Sequence, residues 1–201
     1  MEFNVVDLII VLVAGYVIGG LPFAVWIAKW RGVDIFTVGS GSPGATNVKR
    51  SVGKMEGNLC FLLDAAKGAL AAGLPLLSSM QDAQTLTVFA LIAAILGHSF
   101  SIWIGFRGGK GVATTIGGLT VIMWQVILIG LVLWLLIFFT TRYVSLASIT
   151  LGVSLPISAY FLGRPEAQLW LALLLAILIL VRHTKNIQRL IKGEENRFGK
   201  K

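Results

Sequence analysis

The stretch GVATTIGGLTVIMWQVILIGLVLWLLIFFTT, residues 111–141, contains no charged residue and decides how this chain folds. As one helix it would extend about 46 Å at about 1.5 Å per residue, longer than a bilayer hydrocarbon core of about 30 Å. We therefore predict two shorter helices, separated near Met123-Trp124-Gln125. Gly117-Gly118 loosens the first of them and lets a neighbouring backbone come close.

The rest of the chain is similarly apolar. Of its 201 residues 56% are hydrophobic and 13% are charged, and the mean hydropathy is +0.85, which excludes a soluble domain of this length. Since a spanning helix takes roughly 20 apolar residues, we predict an all-α integral membrane protein. It forms one domain over residues 1–201, a bundle of about seven transmembrane helices. The apolar runs cover residues 4–29, 55–77, 84–104, 111–123, 125–141, 143–162 and 167–181.

The basic residues indicate the orientation of these helices. With seven spans and the N-terminus outside, fifteen of the 17 Lys and Arg residues lie inside, while Arg164 lies outside and Lys67 within a span. With six spans the first basic loop and the basic tail would lie on opposite faces of the membrane. The positive-inside rule therefore favours seven spans and a cytoplasmic C-terminus. The net charge of +8 therefore reflects topology and not nucleic-acid binding. An acidic start with Glu2 and Asp7 predicts an uncleaved first helix.

The first of three polar segments is GSGSPGATNVKR, residues 39–50. Its glycines match G-x-G-x-x-G, but a dinucleotide site needs a preceding strand, and here a membrane span precedes it. Two interpretations remain, a flexible cytoplasmic loop and an anion-binding loop. For the second, glycines turn backbone N–H groups toward an anion, and hydroxyls and a guanidinium add donors. The donor side chains are Ser40, Ser42, Thr46 and Arg50.

The second polar segment is GFRGGKG, from Gly105 to Gly111. A Walker A loop has four residues between its two glycines and a hydroxyl residue after its lysine. Here three residues separate Gly105 from Gly109, and Gly111 follows Lys110. The sequence thus argues against a nucleoside triphosphatase. Two interpretations remain, a basic cytoplasmic turn and a site for a phosphate monoester. The latter combines the charge of Lys110 with the amides of Gly108, Gly109 and Gly111 and a following helix start.

The third polar segment, RHTKNIQRLIKGEENRFGKK, begins at Arg182. One interpretation is an interfacial basic tail that binds anionic lipid headgroups. The alternative is chemical, because His183, Asn186 and either Arg189 or Leu190 are spaced to share one helix face. A histidine at the membrane boundary can also titrate near neutrality.

Asp64 and Lys67 are charged residues inside an apolar run. Charges at membrane depth face the bundle interior or a wet cavity, and the i, i+3 spacing lets these two pair, so we predict a structural ion pair. We expect His98 to hydrogen-bond at the inner end of the third run.

The single cysteine, Cys60, allows no disulfide framework. No metal-ligand spacing occurs in the sequence, and we predict no metal and no cofactor.

Four segments occur in this order: GSGSPGATNVKR, DAAKG at 64–68, GHSFSIWIGFRGGKGVAT from Gly97, and RHTKNIQRL. Together they resemble the acyl-phosphate-dependent glycerol-3-phosphate acyltransferases, the PlsY family of bacterial inner membranes, from about residue 10 to the tail. GGKGVAT together with GATN is highly specific. The resemblance implies transfer of a fatty acyl group from acyl phosphate to the 1-hydroxyl of sn-glycerol 3-phosphate. The products would be lysophosphatidic acid and inorganic phosphate, formed at the cytoplasmic face.

The resemblance also implies roles for individual residues. The expected catalytic residues are Ser40, Arg50, Lys110, His183 and Asn186. The expected substrate- and phosphate-binding residues are Gly41, Ser42, Gly44, Thr46, Asn47, Gly108, Gly109 and Gly111. Glu195 aligns with a structurally needed glutamate. Ser42 stands where the family usually has asparagine, and its hydroxyl cannot reproduce both contacts of an amide.

The sequence leaves several alternatives open. The general base is either His183 or the phosphate of glycerol 3-phosphate, and Ser40 either polarises the reacting groups or is a covalent nucleophile. The H-x-x-x-x-D mechanism of acyl-CoA-dependent enzymes is excluded, since Trp103 and Gln188 stand where an aspartate would be needed. Other possible functions are a transporter of organic phosphate and a lipid scaffold that uses the basic tail. Acyl-chain preference and oligomeric state are not predicted.

Overall fold

The computed structural model describes residues 4–78 and 80–199, and all regular structure in these ranges is helical. Within them the α-helices are α1 (Val5–Gly20), α2 (Phe23–Trp30), α3 (Ala45–Ser51), α4 (Lys54–Gly73), α5 (Ala83–Ser99), α6 (Val112–Ile122), α7 (Trp124–Thr141), α8 (Val144–Phe161), α9 (Glu166–Arg182) and α10 (Thr184–Ile191). Short 3-10 turns occur at Leu74–Leu77 and Ile102–Ile104. The all-α prediction is confirmed. Glu2 and the tail residues Lys200 and Lys201 lie outside the described residues.

Five helical stretches of the described chain are long and apolar enough to cross a membrane. They are Val5–Trp30, Lys54–Leu77, Ala83–Ile104, Trp124–Thr141 and Val144–Phe161. A sixth follows if α9 and α10, bent by 60°, count as one broken span. α6 has only 11 residues, short for a crossing. Seven spans and the outward N-terminus therefore stay predictions.

The predicted interruption of the long apolar stretch is confirmed. α6 ends at Ile122, and Met123 leaves the helical conformation with φ −154° and ψ 69°. α7 then starts at Trp124. The two helices therefore form separately, as the length argument requires.

The chain divides into two compact units, Met1–Ile122 and Met123–Lys201. In the first unit α1 packs along α5, and α4 packs along α6. In the second unit α8 packs against both α7 and α9, and Arg164 donates to the side chain of Gln125. The predicted single domain over residues 1–201 stays a prediction.

Glycines allow the contact between α4 and α6. A side chain at Gly68 would overlap the Thr114 carbonyl, and one at Gly117 would overlap the Ala65 carbonyl. Small residues at such positions let helix backbones approach closely. This contact positions α6, the helix that follows the second glycine-rich segment.

The first apolar run forms one candidate span, Val5–Trp30, that is built from two helices. α1 ends at Gly20, and Pro22, which has no N–H, precedes α2. Side chains satisfy the carbonyls at this break. Ser101 Oγ donates to Gly20 O at 2.6 Å, and Lys67 Nζ donates to Leu21 O at 2.8 Å.

Candidate active site

The first polar segment forms a loop that leads into α3. Gly39 and Gly41 have positive φ angles of 58° and 66°, which glycine adopts without steric strain. Gly44 precedes the first residue of α3 in an extended conformation. Ser40 in the loop and Arg50 on α3 are both exposed. This part of the chain thus presents a hydroxyl and a guanidinium to its surroundings.

The side chain of Asn47 is buried beneath this loop. Its Oδ1 accepts the Ser40 N–H at 3.0 Å and the Ser51 hydroxyl at 3.4 Å. Its Nδ2 donates to the carbonyls of Ile35 at 3.3 Å and Val38 at 3.0 Å. A side-chain amide has two acceptor and two donor positions, and these contacts use all four. These contacts show that Asn47 braces the loop that carries Ser40, and the binding of substrate by Asn47 stays a prediction.

The second polar segment folds back onto the end of α5. The N–H of Gly108 donates to Ser99 O, and that of Gly109 donates to His98 O, both at 3.1 Å. These carbonyls belong to the last turn of α5, where the helix supplies no donor of its own. Both glycines thus complete the C-terminal end of α5. The binding of phosphate by Gly108 and Gly109 stays a prediction.

Lys110 and Gly111 lead directly into α6. Gly111 has a φ of 80°, and its carbonyl accepts the Thr115 N–H at 2.8 Å, which begins the helical hydrogen bonding. The first N–H groups of a helix lack partners within the helix, and its N-terminus attracts anions. In this segment the feature suited to an anion is therefore the start of α6 beside the ammonium of Lys110.

The two glycine-rich segments lie together in the first unit. Gly109 lies so close to Pro43 that a Cβ built on it would be 2.9 Å from the Pro43 carbonyl oxygen. The Arg107 guanidinium lies over the Phe36 ring, 4.2 Å from its centroid, which is a cation–π geometry. The predicted convergence of the two segments is confirmed. The side of the membrane on which they lie stays a prediction.

A buried polar cluster lies behind these loops. Lys67 Nζ is 2.7 Å from Asp64 Oδ1, and both side chains are 3% exposed, which confirms the predicted ion pair. His98 Nδ1 lies 3.6 Å from the same carboxylate oxygen. These three side chains line a small recess together with Pro43 of the first loop and Gly109 of the second. His98 thus belongs to this cluster, beyond the helix-end role expected of it.

In the second unit, His183 lies at the junction of α9 and α10 and is 2% exposed. Its Nδ1 is 2.8 Å from the carbonyl oxygen of Ile179. A carbonyl only accepts hydrogen bonds, so this contact places the proton on Nδ1 and the lone pair of a neutral ring on Nε2. In a neutral His183 ring with this contact, the nitrogen that can accept a proton is Nε2.

Glu195 binds three side chains of the second unit. Its Oε1 accepts from Ser145 Oγ at 2.9 Å and from Asn186 Nδ2 at 2.7 Å, and its Oε2 accepts from Arg189 Nε at 2.7 Å. Burial by itself raises the pKa of this carboxyl group. The hydrogen bonds from Arg189, Asn186 and Ser145 outweigh that effect, so the pKa of Glu195 lies below its ordinary value. Glu195 thus ties α10 to α8 and to the segment after α10.

The structure distributes the predicted residues over both units. The first unit holds Ser40, Gly41, Ser42, Gly44, Thr46, Asn47, Arg50, Asp64, Lys67, Gly108, Gly109, Lys110 and Gly111, and the second holds His183, Asn186 and Glu195. Sequence reasoning missed His98 and Ser145 as members of polar networks. Both are polar residues within apolar runs, which is the same pattern that singled out Asp64 in the sequence.

Over residues 4–78 and 80–199, no group of three His, Cys, Asp or Glu residues is arranged to hold a metal ion.

Apolar helices with two converging glycine-rich loops define a helical membrane protein whose polar end suits anionic ligands. The family model described as glycerol-3-phosphate acyltransferase matches residues 9–193. The chain therefore belongs to the glycerol-3-phosphate acyltransferase family.

Relatives of this name align over nearly the whole chain. One from Aquifex aeolicus (strain VF5) is 43% identical over 187 residues, 93% of this chain and 97% of the relative. Another from Mesorhizobium japonicum is 42% identical over 195 residues, 96% of this chain and 97% of the relative. A third, from Synechococcus sp. (strain JA-3-3Ab), is 42% identical over 188 residues, 93% of this chain and 91% of the relative.

Two crystal structures of PlsY (YgiH), described as an integral membrane glycerol 3-phosphate acyltransferase, have the same fold. The glycerol 3-phosphate form matches with a TM-score of 0.90 and 40% identity over 96% of each chain. The lysophosphatidic acid form matches with a TM-score of 0.88 and 40% identity over 96% of this chain and 95% of that one. These matches confirm the predicted membrane protein class and the resemblance found in the sequence.

Proposed function

We propose that this protein transfers a fatty acyl group from acyl phosphate to the 1-hydroxyl of sn-glycerol 3-phosphate. The products are 1-acyl-sn-glycerol 3-phosphate and inorganic phosphate, in the first step of bacterial phospholipid biosynthesis at the cytoplasmic face of the inner membrane. The convergence of the loops that carry Ser40 and Lys110 supports this proposal, because both substrates carry phosphate. The similarity to an enzyme crystallised in glycerol 3-phosphate and lysophosphatidic acid forms supports it further.

Phosphate binding is assigned to two cations of the first unit. Arg50 is exposed on α3, and its planar guanidinium can donate two parallel hydrogen bonds to a phosphate. Lys110 precedes α6 and adds a compact positive charge to the anion-attracting helix start. Their charges offset the repulsion between the phosphates of the two substrates.

The transfer step itself needs little covalent chemistry from the protein. The 1-hydroxyl oxygen of glycerol 3-phosphate attacks the acyl carbonyl carbon, and the bond from that carbon to the phosphate oxygen breaks. Inorganic phosphate is a good leaving group, so catalysis consists mainly of positioning and of stabilising the developing negative charge. Ser40 and nearby loop N–H groups are the donors assigned to the reacting oxygens. Thr46, partly buried one turn before Arg50, completes the polar surface of α3.

The proton of the attacking hydroxyl goes either to His183 Nε2 or to a substrate phosphate. The Nδ1 contact with Ile179 O supports the first route, because it leaves the acceptor lone pair on Nε2. His183→Ala separates the two routes. Loss of several orders of magnitude in kcat supports His183 as the base, whereas a modest loss with a raised KM supports a positioning role.

The test uses the purified protein in detergent with acyl phosphate as the donor. Phosphate release that depends on glycerol 3-phosphate, with formation of 1-acylglycerol 3-phosphate, is the expected result. Ser40→Ala and Lys110→Ala are expected to abolish most of it. Lys54→Ala, which removes an exposed cation at the start of α4, is the matched control and keeps the activity. A single turnover with labelled acyl phosphate that leaves an acyl group on Ser40 would establish the covalent route.

The broken first helix and the buried Asp64–Lys67 pair also occur in transporters, which gives a second candidate function. Uptake of glycerol 3-phosphate into vesicles without turnover would favour it. The same preparations therefore distinguish the two functions.

A further inference from the structure

The reaction described above makes no use of the buried polar cluster behind the two loops. Asp64 and Lys67 pair inside α4, and Lys67 also binds the Leu21 carbonyl at the break of the first helix. His98, in the last turn of α5 and 8% exposed, adds an imidazole. Its Nδ1 lies 3.6 Å from Asp64 Oδ1, a contact that orients the ring.

The opposite edge of this ring packs against Gly109 of the second loop. A Cβ built on Gly109 would overlap His98 Nε2 and would lie 3.0 Å from His98 Cε1. The N–H of Gly109 donates to the main-chain carbonyl of the same histidine at 3.1 Å. The Pro43 carbonyl bounds Gly109 on a further side. Gly109 is therefore held by the ring and the backbone of His98 and by the first loop, and the next residue is Lys110.

We propose that His98 is a positioning residue for the binding of glycerol 3-phosphate. Asp64 orients the imidazole, the imidazole fixes Gly109, and Gly109 fixes the backbone of Lys110, to which we assign the phosphate of glycerol 3-phosphate. This inference rests on the proposed function, because it names what holds the phosphate site of that function. His98 acts through Gly109 and does not touch the substrate.

A merely structural role for His98 predicts a different set of kinetic changes. Loosened packing lowers stability and changes the kinetic constants of both substrates together. A positioning role instead changes the binding of glycerol 3-phosphate selectively, because Lys110 moves while Ser40 in the first loop and Arg50 on α3 stay in place. A displacement of about 1 Å in a substrate-positioning group can lower the reaction rate by on the order of a hundredfold. An effect confined to glycerol 3-phosphate is therefore measurable.

The experiment uses the full-length enzyme in detergent. His98→Ala leaves Asp64 paired with Lys67, so it creates no unpaired buried charge. We expect KM for glycerol 3-phosphate to rise by about ten- to a hundredfold, with little change in KM for acyl phosphate or in Tm. Thr87→Ala, which truncates another buried polar side chain of α5, is the control and leaves both KM values unchanged.

Conservative variants test which edge of the ring matters. The longer side chain of His98→Gln extends its amide toward the position of Nε2, beside Gly109. The shorter side chain of His98→Asn places its amide near the position of Nδ1, on the ring edge that faces Asp64. The inference requires that His98→Gln recover more affinity for glycerol 3-phosphate than His98→Asn, and the reverse order overturns it.

A double-mutant cycle tests the contact itself. Gly109→Ala places a methyl group against the ring and raises KM for glycerol 3-phosphate. Removing the ring relieves the overlap with His98 but not the close approach to the Pro43 carbonyl, so the double variant raises KM by less than the product of the two separate factors. Independent factors that multiply would overturn the inference.

Equilibrium binding of labelled glycerol 3-phosphate makes the same comparison without any acyl donor. If the wild-type protein binds glycerol 3-phosphate here but does not turn over acyl phosphate in the activity assay, the proposed donor is overturned. Unchanged binding in folded His98→Ala overturns the role of His98. The two failures are therefore distinguishable.

Discussion

Asn186 and Glu195 are joined by a hydrogen bond of 2.7 Å from the side-chain amide to the carboxylate. Asn186 lies on α10, and Glu195 lies in the segment that follows this helix. Arg189 binds the second carboxylate oxygen of Glu195 at the same distance, so α10 and its following segment form one hydrogen-bonded unit. The orientation of the Asn186 amide therefore depends on Glu195.

Glu195→Ala is expected to destabilise the protein. It leaves buried donors on Asn186 and Ser145 without their acceptor, and hydrogen bonds to a charged group contribute about 1.5–3 kcal/mol each. We expect a loss of about that size for the whole substitution, measured by thermal unfolding in detergent. Glu194→Ala, which changes the exposed neighbouring glutamate, is the control and shifts stability by less than about 0.5 kcal/mol. Equal effects of the two variants would contradict the role assigned to Glu195.

The same carboxylate predicts a pH dependence of stability. The pKa of Glu195 is lower in the folded protein than in the unfolded chain, so its contribution is fully present above the ordinary carboxyl pKa of about 4.3. It is lost as the pH falls through the lower folded value. The difference in Tm between the wild type and Glu195→Gln is thus largest near neutral pH and shrinks below about pH 4.3. A constant difference across this range would contradict the assignment.

Asn47→Ala tests the buried amide that holds the first loop. It removes the acceptor of the Ser40 N–H and the donor to the Ile35 and Val38 carbonyls. Leaving buried groups unsatisfied costs about 1–3 kcal/mol, and we also expect a loss of activity because Ser40 is displaced. Asn58→Ala is the matched control, because the side chain of Asn58 accepts an exposed hydrogen bond from Lys49. An active Asn47→Ala protein of normal stability would show that the loop does not depend on this side chain.

The sequence predicted the helical regions but not which proline interrupts one. Pro22 separates α1 from α2, whereas Pro156 lies inside α8 without ending it. The difference lies in the surroundings, because Ser101 and Lys67 donate to the carbonyls that the first break exposes. Such donors come from elsewhere in the chain, so local sequence cannot reveal them.

The candidate site shows the same limit. The glycine-rich composition marked the first loop as a special segment, and in the structure Gly39 and Gly41 have positive φ angles. It could not predict where N–H groups point, and the amides of Gly108 and Gly109 satisfy the end of α5. The spacing of Asp64 and Lys67 was sufficient to predict their pairing, since both lie on one helix. Individual contacts between distant segments, such as that of His98 with Gly109, were beyond such reasoning.

Gly68→Ala tests the close contact that positions α6. Its methyl group would overlap the Thr114 carbonyl, and overpacking of this kind costs about 1–3 kcal/mol. Because Lys110 lies just before α6, we also expect a raised KM for glycerol 3-phosphate. Gly73→Ala is the matched control on the same helix, where a Cβ meets nothing within 4 Å, so stability stays the same or rises by about 0.4–1 kcal/mol. If both variants unfold at the same temperature, the α4–α6 contact does not limit the stability of the first unit.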